Sequence, residues 1–201
     1  MSTTRIFLEE VTREAEVQML EDGLAKAVEL VRTTEPDVVV FGCTSAGALG
    51  TLAHDDGIRE VIAKGTNAQA VTVLRAVLTQ LRDIGPRKIA IFTPYIEDLT
   101  SSIGASLAEA GFPPLKTAGM GIRANLEIGR VTPAEIVAFV ESQVVGCAAD
   151  CIFLSCTNWR AIEAIEPLRR KLGIPIVSSN QAAIDTVRQA TANRLPTVAR
   201  T

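Results

Sequence analysis

Val38-Val39-Val40-Phe41-Gly42-Cys43-Thr44-Ser45-Ala46-Gly47 is the stretch whose reading decides the fold. Four apolar residues after Glu35-Pro36-Asp37 read as a short strand buried on both faces, as in a parallel sheet covered by helices. Gly42 and Gly47 bracket a turn in which the N–H groups of Thr44, Ser45 and Ala46 are placed to face an anion. Further along, Cys151-Ile152-Phe153-Leu154-Ser155-Cys156-Thr157-Asn158 repeats the pattern. Again an apolar strand delivers Cys-Thr and passes into a helical stretch, Trp159 to Leu172. Whether these two strand ends face each other is the question the sequence poses.

Outward from these points, strands and helices alternate. Arg5 to Glu9 reads as a short strand, and Thr12 to Arg32 as a helix whose Val17, Leu20, Leu24, Ala27, Val28 and Val31 follow a 3.6-residue period. Gln69 to Val73 reads as a strand running into a helix that Gly85-Pro86 closes. Lys88 to Phe92 is a strand ending in Thr93-Pro94-Tyr95, and a helix from Glu97 to Ala110 follows. Leu115 to Ile122 is a glycine-containing strand or loop. Thr132-Pro133-Ala134-Glu135 carries a capping box with proline at the first helical position. Ile174 to Asn180 is the last strand, Gln181 to Ala190 the last helix, and Leu195 to Thr201 a loose tail. The alternation predicts an α/β fold with mainly parallel sheets flanked by helices. Ligands in such folds sit beyond the carboxyl ends of strands, where Cys43, Tyr95, Cys156 and Ser178 fall, with Asn125 just past another candidate strand.

Composition narrows the function. The 201 residues are 47% apolar and 21% charged, and 20 Lys+Arg against 23 Asp+Glu give a net charge of −3. No basic block marks a nucleic-acid partner, and no apolar run reaches the roughly 20 residues of a membrane span. A cytoplasmic protein is expected, with its four cysteines as free thiols. Cys147, Cys151 and Cys156 lack a usual zinc spacing, and the single histidine, His54, lies far off in sequence beside Asp55 and Asp56, which suggests surface.

Cys43 and Cys156 each have a bland reading, since free cysteine packs as a small hydrophobe. Their placement at strand ends before helical turns argues for reactive thiols, because a helix N-terminus lowers a thiol pKa from about 8.5. Cys147 and Cys151 read as packing. Thr44, Ser45, Thr157 and Asn158 fit ordinary helix caps, a role compatible with binding an anion. Tyr95 reads equally as a core ring or a hydroxyl donor to a carboxylate, and Asn125 as a turn residue or a ligand.

Taken in order, Gly42-Cys43-Thr44-Ser45, Thr93-Pro94-Tyr95, Asn125, Leu154-Ser155-Cys156-Thr157-Asn158 and Gly173-Ile174-Pro175-Ile176-Val177-Ser178-Ser179-Asn180-Gln181-Ala182 resemble the aspartate/glutamate/hydantoin racemase superfamily. Within it the chain is most similar to the branch of maleate cis-trans isomerase, arylmalonate decarboxylase and ectoine-utilisation proteins, from about Arg5 to Ala190. The resemblance implies two pseudo-symmetric α/β lobes, residues 1–85 with 176–201 and residues 86–175, with the active site in the cleft between them. It implies Cys43 and Cys156 as catalytic thiols, one per lobe, with neither metal nor organic cofactor. Substrate carboxylates would be held by Thr44, Ser45, Tyr95, Asn125, Thr157 and Asn158.

Two departures from the family pattern shape the expectation. Arylmalonate decarboxylases resemble the chain but carry glycine at the Cys43 position, which argues against simple decarboxylation. The resemblance also implies a preceding strand and helix that are not expected in this sequence, either because its start is assigned downstream or because it is a truncated copy, and a homo-oligomer, dimer or tetramer, would cover the sheet surface so left open. Three functions follow from the resemblance. The first is cofactor-independent cis-trans isomerisation of a maleate-like acid by thiolate addition. The second is a two-thiol racemase of amino acids or hydantoins, and the third a non-catalytic binder of small acids.

Overall fold

The structure is a computed structural model, described here for residues 1–192; the tail expected from Leu195 lies outside that range. Thr12 opens the first helix by accepting the Ala15 N–H on its hydroxyl at 3.3 Å, which satisfies one of the free donors at the helix start. Helix α1 (Arg13–Met19) then runs through a π-helical turn, Leu20–Leu24, into α2 (Ala25–Arg32). The wider turn adds a residue and rotates the buried stripe. Glu16 and Met19 therefore face inward, while Val17, expected inside, is exposed. Gly23 belongs to this turn, and a Cβ there would stand 2.2 Å from Ile6 Cγ2, so a larger residue would displace the Ile6 side chain.

Strand β1 (Val38–Phe41) pairs in parallel with β2 (Gln69–Thr72), Val38 opposite Gln69 and Phe41 opposite Thr72. Between them lie the single turn α3 (Thr44–Gly47) and α4 (Leu52–Thr66), which packs on α2. The expectation that β1 is buried on both faces fails. Only Phe41 is buried, and Val40 is exposed, because this sheet has two described strands and β1 has no neighbour on its other edge among them. The expected strand at Arg5–Glu9 is also absent. That segment makes a single antiparallel bridge, Glu10 to Ala124, with flanking backbone bonds from Val11 N–H to Arg123 and from Asn125 N–H to Glu9. It fastens the first lobe to the second through these bonds and, among the described residues, pairs with no strand of either sheet.

Helix α5 (Val73–Ile84) follows β2 without a loop, as the sequence predicts, and ends at Gly85 with φ +67°. The second sheet contains β3 (Ile89–Thr93), β4 (Pro114–Gly119), β5 (Cys151–Leu154) and β6 (Ile176–Ser178) in the order β4-β3-β5-β6, all parallel. Every residue of the central β3 and β5 is buried, as their unbroken apolar runs require. Around it lie α6 (Glu97–Glu109), α7 (Asn125–Arg130), α8 (Pro133–Val144), α9 (Ala161–Leu172) and α10 (Ser179–Ala192). The Thr132–Glu135 capping box and Pro133 open α8 as expected. Strand β6 was expected with the first lobe but bonds to β5 in the second sheet. Helix α10, the next element, packs against α5 of the first lobe. The chain returns between the lobes at Ser178–Ser179, beside both cysteine turns.

Candidate active site

Both Cys-Thr turns follow the carboxyl ends of their strands. Cys43 leaves β1 in extended conformation and serves as the N-cap of α3, while Cys156 leaves β5 and is buried. Each sulfur is met by backbone donors of its own turn. The Ala46 N–H points at Cys43, and the Asn158 N–H reaches Cys156 Sγ at 3.3 Å, with the Trp159 N–H beside it. The turns are tied across the lobe boundary. Thr44 Oγ1 donates to Ser179 Oγ at 2.9 Å, and the same oxygen accepts the Cys156 N–H at 3.1 Å. Thr157 Oγ1 donates to the Gly42 carbonyl at 2.6 Å. The two strand ends therefore do face each other, near enough for Cys156 to bear on the ionisation of Cys43.

Tyr95, 2% exposed at the end of β3, turns its hydroxyl to this seam. Its backbone is fixed by the Thr93 hydroxyl at 3.0 Å and by Gly119, where a Cβ would meet the Tyr95 carbonyl at 2.2 Å. Burial and the neighbouring sulfurs hold the phenol protonated, so it faces the site as a donor.

The thiols are not made acidic by their turns. Burial pushes Cys156 up to about 11, partly offset by Tyr95 and the backbone donors. Cys43 is pushed higher still, by burial and then by the carboxyl of Glu16. The expected lowering at a helix N-terminus is outweighed because α3 is one turn long and its surroundings are dry.

Glu16 was not foreseen. It is 0% exposed on α1, and its Oε1 accepts the Ser45 hydroxyl in a short bond and the Cys43 thiol at 3.8 Å. Its Oε2 has no partner. Desolvation raises its pKa from 4.5 to about 7, although Ser45, Cys43 and Arg13 act the other way. An acidic residue inside an amphipathic pattern gives no sign of burial. The only available signal was a carboxylate one helical turn after the Thr12 cap.

The remaining residues spread around the seam. Asn125 starts α7, where its Nδ2 donates to the Leu8 carbonyl at 2.9 Å and its Oδ1 accepts from Asn158 Nδ2 at 2.9 Å. Asn158 also bonds the Asn125 carbonyl and is exposed, so both amides serve as clasps at the rim. Thr44 and Ser45 are buried with their hydroxyls engaged. Cys151 is buried and its pKa is pushed up to about 12, while Cys147 is half-buried. His54 is half-buried rather than on the surface, its Nε2 3.0 Å from the Ala46 carbonyl. Among the described residues no three His, Cys, Asp or Glu side chains are grouped to hold a metal ion, and no helix is long and apolar enough to cross a membrane. Two surface hollows lie along α5, α9 and α10, away from the cysteines.

The fold is thus a parallel α/β protein in which Cys43 and Cys156 reach a shared seam beside a buried tyrosine, the arrangement of a candidate two-thiol site. Comparison narrows it: the arylmalonate decarboxylase family matches residues 2–200, and the chain belongs to that family. It is 31% identical to the arylmalonate decarboxylase of Bordetella bronchiseptica over 90% of this chain and 75% of that protein. It is 26% identical to a maleate isomerase of Geobacillus stearothermophilus over 92% of this chain and 74% of the relative. A structure of Nocardia farcinica maleate cis-trans isomerase, a mutant with a covalently bound succinylcysteine intermediate, superposes with a TM-score of 0.87 at 18% identity, covering 95% of this chain and 80% of that one.

Proposed function

We propose that the protein is a cofactor-independent isomerase that converts a maleate-like cis dicarboxylate to its trans form. The observation that carries this is the pairing of Cys43 and Cys156 across one seam through Thr44, Ser179 and Thr157. The Cys43 sulfur adds to one alkene carbon, and the displaced electron pair moves toward the neighbouring carbon and its carboxylate. Cys156 supplies a proton to that carbon, and its high pKa keeps the proton available at neutral pH. Rotation about the new single bond, return of the proton to Cys156 and loss of the Cys43 sulfur give the trans acid. The Tyr95 hydroxyl and the N–H groups of Thr44 and Ser45 are the donors for developing carboxylate charge, a contribution of about 3 kcal/mol per well-placed donor. Asn125, Thr157 and Asn158 shape the rim. The covalent intermediate in the Nocardia enzyme's structure supports this reading.

The test is intact mass of the Cys156→Ser variant after incubation with maleate. A gain of one maleic acid on the Cys43 peptide is expected, together with fumarate production by the unmodified protein. No adduct and no fumarate would remove the proposal. A two-thiol racemase is the second reading, favoured by the backbone donors that each sulfur receives in its own turn. It predicts inversion of an amino acid or hydantoin with no adduct.

A further inference from the structure

We propose that Glu16 is the base that takes the proton of Cys43. This rests on Cys43 being the nucleophile. The carboxyl touches the reacting sulfur directly, with the Cys43 thiol donating to Oε1 at 3.8 Å. Ser45 fixes the carboxyl through its hydroxyl, and that hydroxyl lies 3.7 Å from the same sulfur, so the three groups form one closed cluster. Oε2 is buried without a partner, an arrangement that packing alone does not reward, since an apolar side chain would fill the place without desolvating a charge.

The step balances without any further reagent. As the sulfur electron pair forms the bond to the substrate carbon, the thiol proton passes to Glu16. When that bond breaks, the pair returns to sulfur and the proton comes back from Glu16. The pair carries one negative charge before attack, which passes to the substrate as the sulfur–carbon bond forms and returns to the pair when it breaks, so a thiol that burial and Glu16 together keep protonated reacts without first becoming a free thiolate. The charged and titratable neighbours of Glu16 are Arg13 on its own helix, Cys43 on the facing turn, and Cys156 and Tyr95 from the second lobe. Arg13 is held by Asp98 at 3.1 Å and by the Leu49 carbonyl at 2.7 Å, so it moderates the carboxyl without neutralising it.

The experiment is the rate of Cys43 alkylation by iodoacetamide, resolved from the other cysteines by peptide mass spectrometry, across the pH range that brackets the Glu16 midpoint of about 7. In the unmodified protein the rate should rise through that midpoint and level off. Glu16→Gln should erase the inflection and slow alkylation at neutral pH by roughly 100-fold. Glu16→Asp, which keeps a base, should restore an inflection. An unmodified protein with no inflection near that midpoint overturns the proposal, and this arm holds even if Glu16→Gln does not fold. A Gln variant that reacts with iodoacetamide as fast as the parent also overturns it. So does a variant altered only toward the anionic reagent iodoacetate, since Glu16 would then act as a charge that screens anions. None of these readings uses maleate, so an inflection without isomerase turnover would remove the substrate assignment and leave the base in place.

Discussion

Ser179→Ala tests how the two lobes hold their thiols in register. Ser179 is the first residue of α10 and is fully buried, and its Oγ accepts both the Thr44 hydroxyl at 2.9 Å and the Cys156 N–H at 3.1 Å. Alanine removes the acceptor and leaves two buried donors, each costing about 1–3 kcal/mol when unsatisfied. The Thr44 hydroxyl can rotate and falls at the low end, whereas the Cys156 N–H is fixed by the backbone. The expected loss is about 3 kcal/mol, which for a chain of this size lowers Tm by roughly 6–12 °C. Ser178→Ala is the internal comparison, because it removes only the bond from the Gln181 N–H at 3.2 Å and should cost about 1 kcal/mol. Urea titration with an unchanged slope, alongside thermal melting, reads both. If Ser179→Ala loses no more stability than Ser178→Ala, the Thr44–Ser179–Cys156 chain does not bind the lobes together and the reasoning is wrong.

Other consequences are as direct. Glu16 binds its proton more tightly folded than unfolded, so its contribution is fully present below about pH 4.5 and is lost as pH rises through about 7. Relative to Glu16→Gln, the parent should lose about 3 kcal/mol across that window, read by urea titrations at a series of pH values; a pH-independent difference would contradict the buried carboxyl. Gly119→Ala should cost about 3 kcal/mol or more and reduce turnover, because the new Cβ would collide with the Tyr95 carbonyl that positions the phenol. Thermal melting of that variant at parental values would show that the β4 end does not support Tyr95.

The alternation of elements was legible because its signals are local. The junction of β2 and α5 at Thr72–Val73, the capping box at Thr132 and the glycine at position 85 all follow from short-range chemistry. The two Cys-Thr turns were legible as a repeated pattern, and the structure brings them together. Partnership was harder to read. Val38 to Val40 has the composition of a doubly buried strand, yet its burial depends on which strands lie beside it, and among the described residues only β2 does. Arg5 to Glu9 has strand composition, yet the only bridge beside it is Glu10 to Ala124, and it joins neither described sheet. Glu16 was hidden for a geometric reason. The π-helical turn shifts the helix phase, so an apolar count that places Val17 inside necessarily places Glu16 outside. Asn125 and Asn158 were recognisable as polar residues near strand ends, but their amides meet each other and Leu8, which sequence spacing cannot show.

The central claim is that Cys43 and Cys156 open onto one site. Treatment with the short bifunctional thiol reagent 1,3-dibromoacetone, followed by peptide mapping, tests it most directly. The account predicts one intramolecular bridge between the Cys43 and Cys156 peptides, formed faster than any involving Cys147 or Cys151 and blocked by prior incubation with maleate. Single-ended adducts on Cys43, with Cys156 unmodified or bridged elsewhere, would contradict it.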